Sequence, residues 1–237
     1  MKHWAQGKAS HGRPSLAAND AERLEQAYAE AVRLGFLGPR ELDRLRERHL
    51  DDALGLATIR GPRPRERWAD LGSGAGLPGL PLAVAYRATL FTMIDAQRRR
   101  LDWVESTAAA LGIANVTVVH ARLEDYGQGP ARQSFDVATA RALGPLPVVA
   151  ELGLPLLRIG GQLLVPRGRP EADELDQATV ACEQLGGRLE DVVPNPSSPI
   201  DRVGFVVIMA KIAATSPRFP RRSGVPARTP LGQRHTS

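Results

Sequence analysis

The sequence predicts an α/β fold: a Rossmann-like parallel sheet covered by helices on both faces, with a small helical extension at the N-terminus. Three observations predict it. Strand-like and helix-sized segments alternate from about residue 66 onward. A glycine-rich turn follows the first strand-like segment, and a carboxylate ends the second, about twenty residues past that turn.

Taken in order, residues 1–14 read as a disordered leader, and 15–62 as an N-terminal helical region. From Ser15 the positions Leu16, Leu24, Ala27, Tyr28, Ala31, Val32 and Leu34 follow helical spacing, which Gly35 closes. A second helix is expected from about Pro39 to Ala57, with Leu42, Leu45, Leu50 and Leu54 on one face. Within it His49 and Asp52 are three apart and share a face. Gly61-Pro62-Arg63-Pro64-Arg65 breaks the pattern and marks the boundary to a main domain of residues 63–212. Its strands are expected at 66–71, 89–94, 116–120, 135–140, 161–166 and 204–210, with a weak one near 190–193. The clearest helix between them is 97–111, carrying Leu101, Val104, Ala108 and Leu111 on one side. Residues 213–237 form a basic C-terminal tail.

Composition bounds the rest. The chain of 237 residues, 43% hydrophobic and 24% charged, has the make-up of a globular protein with one sizeable core. No apolar run approaches a membrane span, and Met1-Lys2-His3-Trp4-Ala5-Gln6-Gly7 lacks the apolar core of a signal peptide. Cys182 is the only cysteine, so no intrachain disulfide or cysteine zinc site can form, and a cytoplasmic protein is expected. The net charge of +5 is unevenly placed. From Lys211 onward stand Lys211, Arg218, Arg221, Arg222, Arg228 and Arg234 with no acidic residue, so the remainder nets about −1. Such a tail is either a solvated end or a contact for nucleic acid.

The most informative stretch is Asp70-Leu71-Gly72-Ser73-Gly74-Ala75-Gly76-Leu77-Pro78-Gly79. Glycines let the backbone turn tightly and approach a ligand, and the helix that follows presents free N–H groups. Gly74-x-Gly76-x-x-Gly79 matches the dinucleotide fingerprint, but two details point elsewhere. Asp70 would meet a pyrophosphate unfavourably and suits a ligand with a positive amino-acid end. Pro78 removes one donor from the turn. Both favour S-adenosylmethionine over NAD.

In such a sheet the ligand lies at the carboxyl ends of the strands, so those ends supply the other candidates. Asp95 ends the second strand and can accept from ribose hydroxyls; Ala121-Arg122-Leu123-Glu124-Asp125 follows the third, and residues there can line an adenine pocket. Arg141 follows the fourth, and Arg167 and Arg169 follow the fifth on the same rim. There is no internal repeat, no cluster with metal-ligand spacing, no Gly-x-Ser-x-Gly elbow and no Walker lysine. By these residues alone, an enzyme of this fold with another substrate and an NAD-binding module both stay open.

Together the motifs are more specific. The glycine stretch, Arg48-His49-Leu50-Asp51-Asp52-Ala53-Leu54, Ile94-Asp95, Arg122-Leu123-Glu124, Phe135-Asp136, Arg141-Ala142 and the segment from Phe219 to Leu231 resemble the RsmG methyltransferases, also called glucose-inhibited division protein B. The likeness covers about residues 35–231 and departs from the family at Asp52, where serine is common, and at Pro166-Arg167-Gly168 in place of Leu-Lys-Gly. It implies a class I methyltransferase sheet and methylation of N7 of one guanine in 16S ribosomal RNA, with S-adenosylmethionine as cofactor. It also implies that Gly72, Leu77, Leu123, Glu124 and Arg141 contact the cofactor, with Asp95 near its ribose; Asp70, Gly74 and Gly76 complete that set. Arg167, Arg169, Arg218, Arg221 and Arg222 are the expected RNA contacts. The expected partner is 16S rRNA or a small-subunit precursor, bound by a monomer without metal or membrane. Guanine N7 carries a free lone pair, so no general base is expected, and Arg141 is the candidate to position the substrate.

Overall fold

A computed structural model of the chain describes residues 15–198 and 203–233; the expected leader 1–14 lies outside the described residues. Seven strands pair into one sheet: β1 (Arg67–Leu71), β2 (Leu90–Asp95), β3 (Val116–His120), β4 (Phe135–Thr139), β5 (Leu157–Arg167), β6 (Gly187–Pro194) and β7 (Phe205–Lys211). Their order is β3-β2-β1-β4-β5-β7-β6. Strands β1 to β5 pair in parallel, and β7 runs antiparallel between β5 and β6. The strand order switches direction between β1 and β4, where α/β sheets bind their ligands.

Alternation along the strands builds two cores. Trp68, Phe91, Met93, Val137, Leu164, Val206 and Ile208 face one layer; Ala69, Ile94, Ala138, Leu163, Val207 and Met209 face the other. Successive side chains point to opposite faces, so a strand buried on both sides needs a near-continuous apolar run. The first layer is α1 (Ala18–Arg33), α2 (Asp51–Ile59), α3 (Gly79–Ala85) and α4 (Arg98–Ala110). The second holds α5 (Leu123–Gln128), α6 (Leu146–Gly153) and α7 (Ala172–Gln184).

Gly35 ends α1 as the sequence predicts. At φ +74° it donates its N–H to Val32 O at 3.0 Å, while Phe36 N–H reaches back to Ala31 O at 2.9 Å, a left-handed helix stop. Phe36 then packs edge-on against Trp103 of α4, with ring centroids 6.2 Å apart.

The expected single helix from Pro39 to Ala57 is instead three pieces: a 3-10 turn (Pro39–Glu41), a π turn (Leu45–Leu50) and α2. The change in winding breaks the predicted face. Leu45, Leu50 and Leu54 are buried, whereas Leu42 is 39% exposed. His49 turns inward, 4% exposed, with its ring against Arg141.

Asp52 takes the other direction. Asn195, just past β6, donates to the Asp52 carbonyl at 3.1 Å and to its carboxylate at 3.3 Å; Ser198 Oγ donates to the same carboxylate at 3.1 Å. Gly55 permits this docking, because a Cβ there would overlap Asn195 Oδ1 and stand 2.8 Å from its Cγ. Gly55→Ala is therefore expected to cost about 1–3 kcal/mol through overpacking, and Asn195→Gly in the same chain to recover part of it. Denaturant midpoints of the single and double variants check this.

The basic C-terminal segment packs back on the second layer. Arg132 donates to the carbonyls of Thr215, Ser216 and Phe219. Lys211 is buried, with its ammonium on Leu185 O and Thr215 Oγ1; burial first, then Arg132, pulls it down to about 8. Glu151, fully buried in α6, receives the Arg221 backbone N–H and three contacts from its guanidinium, at 2.6 to 3.1 Å.

Candidate functional site

Strand β1 ends in the glycine turn. Gly72, Gly74 and Gly76 have φ of +64°, +53° and +70°, conformations that carry a penalty for any residue with a Cβ. The turn is tied to the neighbouring strand, with Ser73 N–H donating to Ile94 O at 3.0 Å and Gly74 N–H to Asp95 Oδ2 at 2.8 Å. Asp95 Oδ1 accepts from Gln97 N–H at 2.8 Å. At the far end of the turn Gly79 N–H donates to Asp70 Oδ2 at 2.9 Å, which fixes the start of α3. A Cβ on Gly72 would lie 2.6 Å from Leu143 Cδ1, so the loop after β4 closes on the turn. The N-terminal region closes on it too, as Tyr28 OH of α1 lies 3.4 Å from Gly76 O.

Asp70 Oδ1, Ser73 Oγ and Thr139 Oγ1 are buried and have no hydrogen-bond partner among the described residues. Asp70 and Thr139 are register partners across β1 and β4 at the switch point, and Ser73 stands in the turn that follows β1. Each such group costs about 1–3 kcal/mol if left unpaired. The Asp70 and Thr139 pair at the foot of the glycine turn fits a polar ligand bearing donors and a positive charge.

Burial pushes the Asp70 carboxyl up to about 7; the Gly79 N–H and Arg141 pull against this, and Asp95 adds to it. An acid raised this way holds its proton more tightly folded than unfolded. Its stabilising contribution is complete below the ordinary aspartate value near 3.8 and is lost as pH rises to about 7. That loss is on the order of 4 kcal/mol. Urea unfolding of the ligand-free protein should therefore show stability falling between pH 5 and about 7, relative to Asp70→Asn, and levelling off above. Parallel profiles for the two proteins would show a carboxyl already ionised at pH 5.

Arg141 leaves the end of β4 just before Ala142, whose φ of +55° turns the chain sharply. Its Nη2 donates to His49 Nδ1 at 2.7 Å, and its charge acts on both Asp70 and Tyr28. The structure thus brings Asp70, Gly72, Gly74, Gly76, Leu77, Asp95 and Arg141 to the carboxyl ends of β1, β2 and β4. Leu77 and Leu123 are buried, in opposite core layers. Glu124 opens α5, and its Oε1 accepts from Gly224 N–H at 2.8 Å, which brings the C-terminal segment to this edge of the site.

The arginines differ in setting. Arg167 makes a two-pronged ion pair with Glu174 of α7, at 2.7 and 2.8 Å, and Arg221 is turned onto Glu151. Arg169 and Arg218 are exposed and stack on Phe205 and Phe219, and Arg222 is exposed. Sequence reasoning missed Glu41, Tyr28 and Gly224 as neighbours of the site. His49 is legible through its spacing to Asp52 and through the family-like stretch from Arg48 to Leu54, but its contact with Arg141 is not. Among the described residues no group of three or more His, Cys, Asp or Glu could hold a metal, and no helix is long and apolar enough to cross a membrane.

The geometry has counterparts. A SAM-dependent O-methyltransferase from Thermotoga maritima superposes with a TM-score of 0.51 at 15% identity, covering 70% of this chain and 66% of that one. M. jannaschii TYW2 in complex with AdoMet gives 0.53 at 16%, covering 68% and 74%. These likenesses show the fold. In sequence, the chain matches GidB, rRNA small subunit methyltransferase G, over residues 23–197. It is 40% identical over 200 residues to ribosomal RNA small subunit methyltransferase G of Chloroflexus aggregans, covering 84% of this chain and 83% of the relative. By its sequence, the chain belongs to the GidB family of rRNA small subunit methyltransferases.

Proposed function

We propose that the protein transfers the methyl group of S-adenosylmethionine to N7 of one guanine in 16S ribosomal RNA, acting as a monomer in the cytoplasm. The observation that carries the cofactor assignment is the buried Asp70 carboxyl at the foot of a glycine turn, in register with Thr139, whose hydroxyl has no partner among the described residues. A carboxyl in that place repels a pyrophosphate and attracts an ammonium or sulfonium centre. Bound there, the cofactor supplies an electrophilic methyl on sulfur.

The chain's own residues do the rest. Gly72, Gly74 and Gly76 let the backbone come close; Asp95, anchored by Gly74 and Gln97, keeps lone pairs for ribose hydroxyls. Leu123 and Glu124 border the adenine end, with Gly224 fixing one Glu124 oxygen. Asp70 faces the positive end, and its ionisation makes cofactor affinity rise as pH passes neutrality. Because N7 needs no deprotonation, the protein contributes alignment, worth roughly 7–11 kcal/mol of the barrier in well-oriented cases. Arg141 positions the base from the end of β4. The exposed Arg169, Arg218 and Arg222 meet RNA phosphates, while Arg167 and Arg221 brace the surface that presents them.

The test uses small ribosomal subunits from cells lacking this gene and from cells carrying it, each incubated with the protein and methyl-labelled S-adenosylmethionine. Label should enter the 16S RNA of the first and not of the second, whose site is already methylated. Equal labelling of both, or label in protein, would overturn the substrate.

A further inference from the structure

Arg141 is held from behind by a residue of the N-terminal region, 92 positions away. Its Nη2 lies 2.7 Å from His49 Nδ1, and His49 Nε2 lies 2.8 Å from Glu41 Oε2. A guanidinium can only donate and a carboxylate can only accept. The neutral ring that satisfies both carries its proton on Nε2 and offers the Nδ1 lone pair to the arginine. His49 stands in the π turn and Glu41 in the 3-10 turn, two irregular pieces where regular spacing predicts one helix. The irregular winding accompanies an inward ring that a solvated helix face would not provide.

We propose that His49 is a positioning residue for methyl transfer, with Glu41 fixing its tautomer; this rests on the place of Arg141 in the proposed site. An arginine side chain has many rotamers, and a buried acceptor at one fixed point selects among them. A neutral imidazole acceptor orients the guanidinium without itself bringing a negative charge against it. It also gives the N-terminal region a task in the reaction, through the same elements that set Tyr28 on Gly76.

The two nitrogens of the ring can be tested separately. In His49→Asn the amide oxygen stands where Nδ1 stands, so the acceptor for Arg141 is kept and the reach to Glu41 is lost. In His49→Gln the amide reaches toward Glu41 and nothing stands at Nδ1. Turnover at saturating cofactor and RNA is measured for both, for His49→Ala and for Arg141→Ala, with melting temperatures as the check on folding. Asn is expected to keep turnover within about threefold of the natural protein, while Gln and Ala lose roughly ten- to a hundredfold, the size of a lost hydrogen bond to a charged group. Gln as active as Asn, or Asn as inactive as Ala, would overturn the proposal. An active Arg141→Ala protein would instead overturn the role of Arg141 itself. If the His49 variants fail to fold, Glu41→Ala decides: a several-fold loss of turnover supports tautomer control, and unchanged turnover rejects it.

Discussion

Arg141→Ala is expected to lower methyl transfer by a hundredfold or more while the protein stays folded. Arg141 follows β4 at the switch point, aimed by the left-handed Ala142 and held by His49 at 2.7 Å. A preorganised charged donor of this kind is typically worth about 10²–10³ in turnover. Stability should fall by only about 1–3 kcal/mol, the cost of leaving the buried His49 acceptor unpaired. A second consequence separates this from general damage. Arg141 is one of the influences that lower the Asp70 carboxyl, so its removal should let that carboxyl rise further, and cofactor binding should tighten at a higher pH than in the natural protein. Full turnover in the variant would remove Arg141 from the site.

Arg221→Ala is expected to be the most destabilising single change in the C-terminal segment. Glu151 is fully buried, and the Arg221 backbone N–H and guanidinium supply its contacts. Removing one member of a buried pair costs about 3–5 kcal/mol, because the other is left uncompensated. For a chain of this size that is roughly a 6–20 °C fall in melting temperature. Lysine should recover little, since it cannot reproduce the forked geometry. The loss should also reach the cofactor, because Gly224, three residues on, holds Glu124. A melting temperature within 2 °C of the natural protein, on the order of a surface substitution, would contradict this account.

What was legible in the sequence was local. The glycine turn, Asp95 and the first four strands depend on neighbours within a few residues, and the structure places them within a residue or so of expectation. The sequence predicts β5 at 161–166, whereas the strand begins at Leu157; the pairing of Phe135 with Leu157 and the irregular register beyond it draw the segment into the sheet. β6 is an edge strand with weak alternation, and its full span, Gly187–Pro194, is set by pairing with β7. The π turn was illegible because apolar spacing from Leu42 to Leu54 fits a regular helix, and only a contact with a distant residue favours another winding. Charge could be counted but not aimed. Nothing in Arg218-Phe219-Pro220-Arg221-Arg222 tells that Arg221 turns in to Glu151 while its neighbours stay exposed.

The most direct test of the central claim is the position of the transferred methyl. Small subunits lacking the modification are incubated with the protein and S-adenosylmethionine, and the 16S RNA is treated to cleave the chain at N7-methylguanine. One new cleavage is expected, at a single guanine, dependent on the protein and absent with Arg141→Ala. Methyl incorporation without cleavage, or cleavage at many guanines, would contradict it.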